Sequence, residues 1–97
     1  MRESTFYILL SIRTSTGFES FGKFILGNKR EAAAEVFRQL KGTNKVNENT
    51  ILTIEMMETA KGLPQNLQIL GCTLEELAYN CKIITKETFK LRNLKHT

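Results

Sequence analysis

Residues 5–13 alternate in the manner of an extended chain, with Phe6, Ile8, Leu10 and Ile12 on one face and Tyr7, Leu9, Ser11 and Arg13 on the other. The first face is wholly apolar and the second half so, which predicts a strand buried on one side and partly covered on the other. Thr14-Ser15-Thr16-Gly17 follows, a run of short polar residues ending in a glycine able to take positive φ. Such a run suits a hairpin loop of three to four residues and predicts a second strand over about 18–26. The period then changes. Asn28 and Glu31 have the spacing of a capping box, and Gly42 sits where a left-handed C-cap belongs, so a helix is predicted over about 29–41 with Ala33, Val36, Phe37 and Leu40 inward.

Beyond a polar loop, residues 50–58 alternate again and predict a third strand, with Leu52, Ile54 and Met56 opposite Ile51, Thr53, Glu55 and Met57. The stretch 60–72 opens on Gly62-Leu63-Pro64, which breaks regular structure. Its Leu67, Ile69 and Leu70 then call for an ordered loop laid on the core. Thr73 and Glu76 form a second capping box, opening a helix over 74 to about 92 whose inward stripe is Leu74, Leu77, Ala78, Cys81, Ile84, Thr88 and Leu91. The order ββαβα predicts an α+β domain spanning 1–97. The helix between strands 2 and 3 is a crossover, which favours parallel placement of those two. Strand 1 inserted between them makes a three-stranded mixed sheet in order 2-1-3, with both helices packed mainly on the Phe6/Ile8/Leu10/Ile12 face. Tyr7, Leu9, Phe21, Ile25 and Met57 would remain on the opposite face, an apolar remainder that invites a partner such as a second copy of the chain.

Composition adds limits. A chain of 97 residues with 41% apolar content is the size of one domain, with neither linker nor low-complexity composition. Its longest apolar run, Phe6 to Leu10, is far short of a membrane span, and Met1-Arg2-Glu3 leads into a strand rather than a secretory signal, so a cytoplasmic protein with no membrane association is expected. Cys72 and Cys81 lie nine positions apart, which is neither a redox pair nor a zinc knuckle, and are expected to be reduced and structural. All ten acidic residues are Glu, which removes every motif that depends on Asp, among them Walker-B metal sites and a Ser-His-Asp triad.

Chemistry-bearing motifs are weak. Gly17-Phe18-Glu19-Ser20-Phe21-Gly22-Lys23-Phe24 has the GxxxxGK spacing of a phosphate-binding loop, but Phe24 stands where Ser or Thr is needed and Phe18, Phe21 and Phe24 call for burial in a hairpin strand. The only histidine, His96, is next to the end of the sequence, where catalytic geometry is hard to hold. Glu55 with Glu58, and Glu75 with Glu76, are better read as a strand end and a helix N-terminus than as acid–base pairs. No catalytic, cofactor-binding or metal residue is assigned, and no cofactor is implied.

Charge is unevenly placed. Residues 1–81 are neutral overall, and the net +4 comes from Lys82, Lys86, Lys90, Arg92 and Lys95 against Glu87. Lys82, Lys86 and Lys90 form an outer stripe on the last helix near Tyr79 and Ile83, and these five residues are the candidate partner-binding surface. A solvated helix face explains the stripe most simply. The functional expectation is a non-enzymatic protein-interaction module, homodimeric, that contacts partners through its sheet or this helix. Nucleic-acid binding by the basic helix is the alternative.

Overall fold

Phe6, Ile8 and Leu10 alternate along the central strand, and the rest of the chain is arranged to bury them. A computed structural model describes residues 4–91. Within it the order is β1 (Thr5–Thr14), β2 (Gly17–Gly27), α1 (Arg30–Arg38), β3 (Leu52–Ala60), β4 (Leu63–Cys72) and α2 (Leu74–Leu91). The strands form one sheet in order β2-β1-β3-β4, antiparallel at every neighbouring pair. Both helices lie on one side, where Ala33, Val36 and Phe37 of α1 and Leu77 and Ile84 of α2 share a core with Phe6, Ile8, Leu10, Leu26, Leu52, Ile54 and Met56. The shortest extent is 20 Å, the thickness of one sheet and one helix layer.

The expected three-stranded mixed sheet is therefore corrected on two counts. Residues 63–72 are a fourth strand rather than a loop, paired with β3 through a two-residue connection, Lys61-Gly62, between Ala60 and Leu63. Both connecting residues have positive φ, 56° and 78°, the backbone of a tight hairpin whose twist matches its strands. Pro64, which argues against a central strand, is tolerated because β4 is an edge. The sheet is also purely antiparallel. The crossover keeps β2 and β3 in the same direction, and β1, joined to β2 by a tight hairpin, runs against both.

Local signals are corrected too. The first hairpin loop is the two residues Ser15-Thr16, with Thr14 opposite Gly17, and the Thr14 hydroxyl donates to the Gly17 carbonyl at 2.8 Å. The N-cap of α1 is Lys29 rather than Asn28, Lys29 makes no side-chain cap bond, and the helix stops at Arg38, so Gly42 lies beyond it and is not its C-cap. Gly42 serves a different purpose. Its φ is 152°, and a Cβ there would come within 2.7 Å of the Gly71 carbonyl oxygen, so the small residue lets the loop reach β4 and exchange hydrogen bonds between Thr43 and Gly71. The second capping box does form: Glu76 accepts from the Thr73 amide at 2.9 Å and Thr73 accepts from the Glu76 amide at 3.1 Å. The buried stripe of α2 is turned relative to the expected one, since Leu74 and Ala78 are exposed and Asn80 is buried. Ile12 is 39% exposed, and Phe18 and Phe21 of the GxxxxGK string are exposed as well, with Phe21 at an irregularity in the β1–β2 pairing.

Candidate partner-binding surfaces

Register defines the face of the sheet away from the helices. Residues opposite one another in an antiparallel pair point to the same side. One line across the sheet is therefore Lys23, Leu9, Glu55 and Ile69, and the next is Ile25, Tyr7, Met57 and Asn66. A third line holds only Ser20, Ser11, Thr53 and Gly71. Among the described residues neither helix packs on this side. Leu9, Met57 and Ile69 are half-buried and Ile25 is 40% exposed. Tyr7 is buried, with the Lys23 ammonium 4.6 Å from the centre of its ring. The Asn66 amide donates to Glu55 at 2.7 Å. The outcome is an apolar area interrupted by Lys23 and Glu55, with Arg13 at its end held to the Thr50 and Asn47 carbonyls.

The basic stripe lies where the helical wheel places it. Lys82, Lys86 and Lys90 are exposed on α2, directly away from its buried Leu77, Asn80 and Ile84. Lys90 pairs with Glu87 at 3.3 Å, one turn back. Tyr79 is exposed, but the Lys41 ammonium covers its ring at 4.3 Å, and Ile83 is half-buried. The structure thus brings Tyr79 and the three lysines onto one face and leaves Ile83 half-buried beside them. Arg92, Lys95 and His96 lie outside the described residues, as does the side chain of Leu91.

A cleft of 480 Å³ opens where β3 begins, β4 ends and α2 starts, lined by Thr50, Ile51, Leu52, Cys72, Leu74 and Glu76 among others. Two of its polar groups already have partners: the Glu76 carboxylate holds the Thr73 amide, and the Thr50 hydroxyl accepts from the Asn47 amide at 3.0 Å. Burial, with a smaller contribution from the Glu76 charge, lifts the Cys72 thiol from 9.0 to about 11, against a lowering hydrogen bond from Asn80. Burial raises Cys81 in the same direction. Both cysteines are free, and neither is activated as a nucleophile. Among the described residues no three His, Cys or Glu side chains are grouped to hold a metal ion, and no helix is long and apolar enough to cross a membrane.

Asn80 is the residue that pattern reading overlooks. It is fully buried in α2 and treats the Lys41 backbone as a strand would: Oδ1 accepts from the Lys41 amide and Nδ2 donates to the Lys41 carbonyl, each at 2.8 Å. The Cys72 thiol donates to the same carbonyl at 3.4 Å. These bonds fix the exit from α1 to α2 and so hold Lys41 over Tyr79. Comparison with models of known protein families, with characterised proteins and with solved structures finds no match to this chain.

Proposed function

We propose that the protein is a small non-enzymatic interaction module that pairs with a second copy of itself through the helix-free face of the sheet. The observation that carries this reading is the one-sided arrangement of the helices, which leaves Leu9, Met57 and Ile69 half-buried on a part of the sheet that neither helix covers among the described residues, while the Ser11, Thr53 and Gly71 end of that face is buried, with Thr43 and Thr50 of the loop against Gly71. Apolar area of this kind is usually covered by a partner, and a self-complementary patch is the simplest one. The non-enzymatic part rests on chemistry: burial raises the pKa of both thiols, and Glu76 and Thr50 of the cleft are engaged in capping and turn bonds.

Nucleic-acid binding by α2 is the second reading, favoured by the alignment of Lys82, Lys86 and Lys90 on one exposed face. It ranks lower because Lys90 is partly neutralised by Glu87, Tyr79 is capped by Lys41, and few phosphates could be met at once. Light scattering on protein at about 100 µM, above the micromolar dissociation constant suited to a small interface, tests the first reading. Dimer mass is expected for the parent chain and monomer mass for Leu9→Asp, with the far-ultraviolet spectrum unchanged. A monomeric parent, or a dimer indifferent to Leu9→Asp, defeats the proposal. Tight RNA or DNA binding at about 150 mM salt that is lost on changing the three lysines to Gln would put the second reading in its place.

A further inference from the structure

We infer that the two copies meet about a two-fold axis running along β1, so that Lys23 of each protomer faces the partner's Glu55 on either side of a central contact between the two Leu9 side chains. This rests on the reading of the helix-free face as a self-association surface. Lys23 and Glu55 stand on β2 and β3, one strand to each side of Leu9, and so are separated by two strand spacings, about 10 Å. Within one chain they do not pair: the Lys23 ammonium lies over the Tyr7 ring and Glu55 accepts from Asn66. Lys23 and Glu55 are therefore placed symmetrically about an apolar residue of the central strand, while Arg13, at the end of β1 on the same face, is held by the Thr50 and Asn47 carbonyls and over the Phe18 ring.

A face can meet its own copy about an axis along the strands or about one across them. The first exchanges the β2 side with the β3 side. Each Lys23 then lies over the partner's Glu55, Ile25 over the partner's Met57, and Tyr7 over its own counterpart, so that apolar lines stay on apolar lines. Strand directions in the two sheets also stay nearly aligned, as in ordinary face-to-face sheet packing. An axis across the strands through Leu9 instead returns each strand onto itself. Lys23 would then meet the partner's Lys23 and Glu55 the partner's Glu55, while the line of Tyr7 and Met57 would fall on the line of Ser11 and Thr53. Like charges opposed in an interface are disfavoured, and apolar side chains laid on small polar ones leave gaps. Both considerations select the axis along β1.

An axis along β1 overlays only β2, β1 and β3 of the two copies and leaves β4 outside. Three strands about 4.8 Å apart and some eight residues long meet over about 400 Å² per copy, or about 800 Å² in total, the size of a weak or transient contact. Affinity should be weak, and the two charge pairs should then govern it. The test is sedimentation at about 50 mM salt, where surface charges are least screened. Lys23→Glu and Glu55→Lys are each expected to raise the dissociation constant roughly tenfold or more. Mixing the two single variants should restore association, because one then offers two negative groups and the other two positive ones. The double variant Lys23→Glu/Glu55→Lys should pair as the parent does. Either single variant pairing as tightly as the parent, or a mixture no tighter than its components, overturns this geometry. If the parent never associates, the self-association reading itself has failed. If Leu9→Asp breaks the dimer and the charge reversals do not, the face stands and the axis is wrong.

Discussion

At the scale of the residue, Asn80 shows how a polar side chain can stabilise a core. Its two hydrogen bonds satisfy the Lys41 amide and carbonyl, which the early end of α1 leaves without helical partners. Replacing it with Ala removes both and opens a space beside Cys72. Asn80→Ala is expected to cost about 2–4 kcal/mol, read as a lower denaturant midpoint, whereas a loss under about 1 kcal/mol would mean that water replaces the side chain without penalty. Cys72 offers a second measurement. With its thiol at about 11 rather than 9.0, the thiolate fraction near pH 8 is roughly 100-fold smaller than for an ordinary cysteine. Alkylation of the native protein should be slow to the same degree, and a rate equal to that of the unfolded chain would contradict it. The sign for stability follows. Above pH 9 the unfolded chain releases this proton before the native one does, so stability is fully present below that pH and falls as pH rises toward 11. Of these two residues only the burial of the cysteine could be read in advance. Asn80 interrupts an apolar stripe, and its partner is a backbone 39 positions away, which no local pattern encodes.

The elements were legible where their periodicity was unbroken, as in β1, β2, α1, β3 and α2. β4 was hidden for two physical reasons. Its pairing with β3 carries an irregularity at Met56 and Met57, where Leu67 is the extra residue, so the alternation of apolar positions slips by one. Its turn is also marked by Lys61-Gly62, in which only the glycine advertises positive φ, and Gly62 beside Pro64 reads as a break. Turn energetics follow from the same angles. Gly62 at φ 78° has open space around its missing Cβ, so Gly62→Ala costs backbone strain alone, about 1 kcal/mol. Lys61 at φ 56° already bears that strain, and Lys61→Gly or Lys61→Asn is expected to be neutral or to stabilise by up to about 1 kcal/mol. Thermal unfolding of the three variants decides the matter: equal losses at both positions would show that the two-residue turn is not the one formed. Gly42 was noticed for the wrong reason. Its sequence position resembles a helix cap, whereas the close approach of Gly71 that requires it is a long-range contact.

For the whole molecule, the crossover rule placed β1 between β2 and β3 correctly, and the apolar alternation of β1 placed the helices on one side. The helix-free face was only half legible, because the lines that cross it depend on a register set by irregularities near Tyr7 and Ser11. The excess positive charge was visible at once, yet a count of lysines does not show that one is paired or that a neighbouring ring is capped. Self-association has a consequence that can be measured without any variant. If two copies bury their open faces against each other, unfolding is coupled to dissociation, and dilution must destabilise the protein by mass action. Above the dissociation constant each tenfold rise in concentration stabilises a dimer by about 1.4 kcal/mol, or about 0.7 kcal/mol per chain. For a chain of this length about 1 kcal/mol moves the midpoint by about 4–8 °C, so Tm should rise by about 3–6 °C per decade of concentration and level off once dilution leaves monomers. Added salt should flatten the rise, since the two charge pairs proposed to orient the interface are then screened. On this reading monomers predominate at the dilute end, with the open face exposed. A Tm that stays constant from about 1 µM to about 1 mM would show that no second copy covers it.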